Sequence, residues 1–498
     1  MAAALIPFPQ ALQPPLPTVE GNVDYRKLRE ELLRIDQLLI QSGLESRFIS
    51  LCLERWLTST DQTPSANAQL NYQIHTRRAL RCNILRTYLN EDFRGLAARL
   101  ADSPLFQHFC GLAQIDKVVV PAKSTLQRYA HWAADELLKP LLDQLLRQAH
   151  QQAKALQLTQ PVDLDSAWLD TTCVKANIHY PTDWVLFRDG CRTLLKAIEL
   201  IRDQGLRHRM PEPPVLLRAI NCLCIEMAHV PRKTDRKRHR KKVLRKMDKQ
   251  LACVASHARR YRKLLEEQWD KTQWTRAQAA QVLSRLDNVL QQLPAVRKQA
   301  RQRIIQEQPV ANEDKILSLY EPAINVVVRR KAGVEVEFGN TLLLAESAQG
   351  LILDFALFEK SAPADSRMIK PCVERIEQNL QIKLKQVGAD RGFDSAANEQ
   401  QLRECKIYNG IAPRNPRALK KRRRSWKFVK LQRRRSQIEG RISIVVHNFL
   451  GSPMRCKGFE HRQLAVDWGV LTHNLWVLAR LPKRKIRTKT APTRRQAA

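Results

Sequence analysis

Apolar positions recur at helical spacing over most of the first 160 residues. The stretch LREELLRIDQLLIQSGLESRFISLCLERWL predicts amphipathic helix from Tyr25 to about Leu57. A polar gap, TSTDQTPSANAQ, follows, and residues 71–150 read as several helices. Within them, EDFRGLAARLADSPLFQHFCGL opens on an acidic pair suited to a helix start, and PAKSTLQRYAHWA places Ser124 as an N-cap after Pro121. Short helices ending in a basic, Ser/Thr-bearing one fit a helix-turn-helix as well as a plain helical bundle.

The period changes after Pro161. VDLDSAWLDTTCV alternates and predicts a strand ending near Asp170. Helical spacing returns over 185–310, with the basic run PRKTDRKRHRKKVLRK at 231–246. From Lys315 the period approaches two. INVVVRR, FGNTLLLAES and GLILDFALFEK predict antiparallel strands, the last two joined by a turn at Gln349-Gly350. ADSRMIKPCVERIEQNL then reads as helix, LKQVGAD as strand, SAANEQQLREC as helix and IYNGIAP as strand, and helices resume at about Lys430. Three antiparallel strands extended by parallel ones through helices make a mixed α/β sheet of the ribonuclease-H-like kind. It has a helical insertion after its first strand and an all-α N-terminal domain before it. The expected organisation is a flexible Pro-rich arm at 1–22 and a helical DNA-binding domain at 23–160. The catalytic domain takes 161–184 and 315–482, the basic insertion 185–314 and a basic, disordered tail 483–498.

Charge changes the picture more than composition does. The chain has 498 residues, 85 Lys+Arg against 49 Asp+Glu, and a formal charge of +36. A chain this basic repels itself unless it meets a polyanion, and nucleic acid is the usual one. Eleven Cys carry no CxxC pair, and Cys222 and Cys224 stand two apart, which suits neither a zinc knuckle nor a redox motif. Scattered thiols of this kind fit a reducing, cytoplasmic setting. The N-terminal MAAALIPFPQALQPPLP lacks basic residues before its apolar part and does not read as a secretion signal. No apolar run approaches the roughly 20 residues of a membrane helix.

Against this background three carboxylates stand out. Asp170 and Asp390 lie at predicted strand ends, and Glu439 lies on a predicted helix in RRRSQIEGRISIVVHNF. Asp390 is followed by Gly392, which permits a sharp turn, while Asp394 reads as a cap for the next helix. Ile438, Ile442, Val445 and Phe449 form an apolar stripe, with Glu439 at its edge and Arg435 one turn earlier, placed to pair with it or with a phosphate. Hard Mg²⁺ or Mn²⁺ takes carboxylate oxygens, and two such ions suit phosphodiester cleavage. The residues 414–435 hold twelve Lys/Arg in 22 positions, with Trp426 and Phe428 among them. They read as a strand or loop lying on DNA backbone before the helix of Glu439. Its candidate contacts are Arg422, Arg423, Arg424, Lys427, Lys430 and Arg435. Arg236 and Lys237 in the earlier basic run, and Lys123 and Arg128 in the N-terminal region, are further candidates.

The chain resembles DDE transposases of bacterial insertion sequences, most closely the ISNCY-type group. The resemblance rests on LDTTCVKANIHYPTD, KILSLYEP, KAGVEVEFGNTLLL, VGADRGFDS, IYNGIAPR and RRRSQIEGRISIVVHNFLG, and runs nearly end to end. EDFRGLAARLADSPLFQHFCGL and PAKSTLQRY look like the family's DNA-binding region. The resemblance implies a ribonuclease-H-like fold and metal-dependent cleavage and joining at transposon ends. It implies Asp170, Asp390 and Glu439 as catalytic and metal-holding residues, double-stranded DNA of transposon ends and target as the partner, and a homodimer or higher oligomer on that DNA at the nucleoid. Related groups share Tyr-x2-Arg-x3-Glu-x6-Lys around the last acid. Arg435 fits this pattern, whereas Gln432 and Val446 stand at the Tyr and Lys positions. These two departures admit a second expectation, a weakened transposase-derived DNA-binding protein.

Overall fold

The computed structural model describes residues 15–60, 63–114, 116–133, 135–229, 235–331 and 334–483. Most of the Pro-rich arm, the start of the basic run at 231–234 and the tail from 484 lie outside the described residues.

The chain opens with α1 (Val23–Gln41), α2 (Leu44–Thr58), α3 (Ala66–Leu89), α4 (Phe93–Asp102), α5 (Pro104–Cys110), α6 (Lys123–Ala130) and α7 (Asp135–Gln151). The single helix expected over 25–57 is two. Gly43 sits at φ 65°, a left-handed conformation that ends α1, and the Ser42 hydroxyl donates back to the Leu38 carbonyl at 2.6 Å. Asp92 caps α4 as expected, accepting from the N–H groups of Arg94 and Gly95. Ser124 does not cap α6: that helix starts at Lys123, and its N-cap is Ala122 without a side-chain bond.

Strand β1 (Ser166–Lys175) leads to α8 (Asp183–Asp203), α9 (Pro213–Ala228), α10 (Arg236–Gln268) and α11 (Arg276–Ala300). Then come β2 (Asn325–Lys331), β3 (Val334–Glu346) and β4 (Ile352–Leu357), followed by α12 (Ile369–Leu380), β5 (Gln386–Ala389), α13 (Ala396–Glu404) and β6 (Tyr408–Ile411). The chain ends its described part with α14 (Pro416–Arg422), α15 (Trp426–Ile444) and α16 (Phe459–Arg480). The basic run 414–435 is therefore helix, not an extended segment. Asn415 caps α14 with Pro416 at its first turn, and Ser425 caps α15.

Two compact units divide the chain. One takes the residues up to Val174, Thr341–Phe358 and the residues from Ala362 on; the other takes Lys175–Asn340 and Glu359–Ser361. In the first unit, β4 pairs antiparallel with the second half of β3, β3 neighbours β1, and β1, β5 and β6 run parallel. Its core is continuous from Leu32 and Phe48 in the N-terminal helices through Leu343 and Val387 in the sheet to Trp468 and Leu475 in α16. Asn474 of α16 clamps that sheet: its side chain accepts from the Ile352 N–H at 2.9 Å and donates to the Ile352 carbonyl at 2.8 Å. The second unit buries the apolar faces of α8, α9, α10 and α11, with Leu194, Ile198, Met247, Leu251, Leu286 and Leu293 at the centre. In it β2 pairs antiparallel with the first half of β3. The architecture is mixed α/β, a helical N-terminal region leading into a mixed sheet.

Candidate active site

Strand register brings the first two acids together. Leu169 pairs with Ala389 at the end of the β1–β5 ladder, so Asp170 and Asp390 are the next residues on adjacent parallel strands. Asp170 does not end its strand, as β1 continues to Lys175. Asp390 does end β5: its side chain accepts from the Gly392 N–H at 2.8 Å and caps the short turn Arg391–Phe393. Asp394 is not the cap of α13, which is Ser395. Asp394 instead accepts the Arg414 N–H at 2.8 Å.

The neighbouring packing shows why glycine stands at two strand positions. Trp168, Gly388 and Gly410 align across β1, β5 and β6. A Cβ on Gly388 would come within 2.6 Å of the Trp168 ring, and one on Gly410 within 2.8 Å of the Val387 carbonyl and 3.0 Å of Leu431. The buried indole of Trp168 packs with Leu431 and Ile438, and its N–H donates to the Leu431 carbonyl at 3.0 Å. Helix α15 is thereby set on the sheet at a fixed height.

Two arginines on α15 complete the anchoring. Glu346, at the end of β3, is 1% exposed and pairs with the Arg434 guanidinium, while Arg441 approaches it at 3.9 Å. Arg434 also lies over the Trp168 ring at 5.0 Å. Gln432 donates to the carbonyls of Ala389 at 3.2 Å and Gly410 at 2.5 Å, tying α15 to the ends of β5 and β6. Val446 is buried. The stripe Ile438, Val445 and Phe449 is buried as expected, with Ile442 at its margin.

This anchoring leaves Gln432, Arg435 and Glu439 on a face of α15 that lines a cleft of about 660 Å³ with Asp390. Glu439 is 61% exposed and lies 3.7 Å from Arg435. Burial, with the nearby Asp390 and Glu439 carboxylates and against the Thr171 N–H and Arg435, pushes the Asp170 carboxyl up to about 6. The Thr171 hydroxyl donates to Asp365 at 3.3 Å, so a fourth carboxylate stands next to this strand.

The other candidate cations are placed unequally. Arg423 lines the cleft. Arg422 does not face outward for DNA, since its guanidinium donates to the carbonyls of Asn409 and Ile411 and lies over Phe428 at 5.2 Å. Lys427 lies over Tyr408 and Lys430 over Trp426, which is 74% exposed. Arg424 is exposed on the turn between α14 and α15. Lys123 and Arg128 are exposed on α6. In the other unit, Arg236 opens α10, and Lys237 pairs with Glu307 at 2.7 Å. Reading the sequence missed Arg391 and Arg433, which line the cleft, and the bridging role of Gln432. Arg391 had a visible signal, as it directly follows Asp390.

Among the described residues no group of three His, Cys, Asp or Glu side chains is gathered closely enough to hold a metal ion. The donor chemistry nonetheless fits a hard divalent cation. Asp170 and Asp390 offer oxygen only, on rigid adjacent strands, and their mutual repulsion is what a cation would relieve.

Residues 323–475 match the family model of the transposase DDE domain. The match supports a DDE transposase. The matched stretch contains Asp390, Arg435 and Glu439 and begins after Asp170. No curated protein and no solved structure matches the chain. No described helix is long and apolar enough to cross a membrane.

Proposed function

We propose that the protein is the transposase of a bacterial insertion sequence of the ISNCY-type group, and that it cleaves and joins DNA at the element's terminal inverted repeats. The strand order β4-β3-β1-β5-β6 supports a ribonuclease-H-like catalytic core. The observation that carries the reading is the register of β1 on β5, which sets Asp170 beside Asp390, while Glu439 shares a basic cleft with Asp390.

In this reading Asp170 and Asp390 hold Mg²⁺ or Mn²⁺, and Glu439 supplies the third carboxylate. The bound cation would stabilise charge on the attacked phosphate and acidify a bound water. Arg423 and Arg435 hold the phosphodiester in the cleft. Gln432, in the place of a phosphate-contacting tyrosine, positions the helix through the Ala389 and Gly410 carbonyls. Water attack at the transposon end frees a 3′-OH, which then attacks target DNA in line; positioning and charge neutralisation supply most of the rate. Pairing two ends takes a dimer or higher oligomer.

The test is Mg²⁺- or Mn²⁺-dependent nicking of a duplex carrying the terminal repeat. Asp390→Asn is expected to lose activity on the order of a thousandfold while binding the repeat within a few-fold of the parent. Unchanged nicking by that variant would overturn the metal role of Asp390. A second reading, a transposase-derived DNA-binding protein with weakened catalysis, is favoured by Glu439 being exposed and turned to Arg435. Specific binding without nicking by the parent protein would establish that reading instead.

A further inference from the structure

A second cavity, of about 410 Å³, lies in the first unit, between α3, α6, the loop after residue 450 and α16. Its wall holds an unusual collection of hydrogen-bond donors. The Nε of Arg86, the Oγ1 of Thr87 and the Nε1 of Trp468 are all shielded from solvent and have no hydrogen-bond partner. Thr87 is 4% and Trp468 1% exposed. Two of these atoms can only donate, and the hydroxyl can do so. Buried donors left without a partner are costly, so three at one cavity call for an acceptor.

Charge sharpens the choice of acceptor. No carboxylate pairs with the Arg86 guanidinium among the described residues; it lies instead over the Phe93 ring at 5.0 Å. Two acids line the cavity, and both are engaged with other partners. Asp92 accepts from the N–H groups of Arg94 and Gly95 at 2.8 Å, and Glu91 lies 3.4 Å from Arg99. Arg455, Lys457 and His461 stand exposed around the same cavity. Aromatic walls come from Phe93, Phe449 and Trp468. A half-buried guanidinium without a carboxylate partner, with further cations and ring faces nearby, matches a phosphate ester that carries a flat ring. The volume is in the range of pockets that take a small organic ligand.

We propose that this cavity binds a nucleoside monophosphate unit, the phosphate on Arg86 and Arg455 and the base against the aromatic walls. The unit could come from a free nucleotide or from the 5′-phosphorylated end of a DNA strand; the chemistry recognised is the same. The site does not depend on the carboxylate cleft, so it stands or falls separately from the function proposed above.

The experiment is calorimetric titration of the full chain with adenosine monophosphate, with adenosine, and with short single strands carrying a 5′-phosphate or a 5′-hydroxyl. Binding that requires the phosphate, and that falls roughly tenfold or more in Arg86→Met, is the expected result. Saturation by the mononucleotide identifies the free ligand as source; binding of the 5′-phosphate strand alone identifies a DNA end. Arg455→Ala combined with Lys457→Ala changes only exposed residues and covers the case in which Arg86→Met does not fold. If the phosphate makes no difference to binding, or if a folded Arg86→Met or the double variant binds as the parent does, the proposal is wrong.

Discussion

Residues 414–435 and 236–246 are both dense in Lys and Arg, and along the sequence they look alike. In the first, cations are tied into the fold as well as set around the cleft. Arg422 satisfies strand carbonyls and Arg434 meets the buried Glu346, while Arg423, Arg433 and Arg435 line the cleft. In the second, which opens α10, Lys237 and Lys241 share the exposed Glu307, and Arg240 lies over Trp184. A run of charge in a sequence thus says that a polyanion is welcome, but not which cations remain for it. Burial and available carbonyls decide that, and both depend on how the helix docks.

The comparison can be broken at the carboxylate that each region meets. Glu346→Gln leaves two buried or half-buried guanidinium groups without their counter-charge. Removing one partner of a buried pair typically costs about 3–5 kcal/mol. Urea unfolding should show that loss, and the strand cleavage proposed above should fall with it if α15 presents Arg435 and Glu439 to the cleft. Glu307→Gln removes two pairs of 2.7 Å at the surface, where solvent screens them. No change in melting temperature is expected there. Equal losses from both variants would mean that the buried triad does not anchor α15.

Much of this contrast was legible in the sequence and some was not. Period-two and period-3.6 patterns located the strands and helices, and Asp390 followed by a glycine turn was readable from VGADRGFDS. The register that sets Asp170 beside Asp390 was not, because it joins residues more than 200 positions apart and no local signal sets it. The placement of Asp170 at a strand end was wrong for a related reason. Thr171, Thr172, Cys173 and Val174 favour extended structure and carry β1 onward. The helicity of 414–435 was hidden by charge density. Twelve cations suggested an extended segment, yet Lys and Arg are good helix formers, and Asn415 and Ser425 supply caps.

Acid should act more gently, through the core of the first unit. His473, in α16, is fully buried, touches Asn474 at 3.2 Å and stands edge-on to Phe449. Burial holds its imidazole down to about 3, and Arg441 adds to the effect. The unfolded chain takes a proton near pH 6.5 that the folded chain refuses until about 3. The unfolded state therefore binds more protons in this window, and stability is full above pH 6.5 and falls as pH drops through it. The limiting slope for one such group is about 1.4 kcal/mol per pH unit. Asp143, whose carboxyl burial pushes up to about 6, acts in the opposite sense between its ordinary range and 6. His473→Gln removes the first contribution and keeps the second. Unfolding measured at pH 7 and pH 5 should show a smaller acid loss in the variant; the same loss in both would exclude His473 as its source.

Two glycines near α15 should differ in sign. Gly388 of β5 lies under the Trp168 indole, and a methyl there would meet the ring at 2.6 Å. The indole cannot retreat freely, since its N–H is bonded to Leu431 and Arg434 lies on its face. Gly388→Ala should destabilise the protein by about 1–3 kcal/mol, as overpacking of a core does. Gly440 lies within α15 beside Glu439, and nothing comes within 4 Å of a Cβ built there. Gly440→Ala should stabilise by about 0.5–1 kcal/mol through helix propensity alone. Chemical denaturation of the two variants reads both signs directly. Stabilisation by both would mean that Trp168 yields, so that the ring does not fix the height of α15 over the carboxylates.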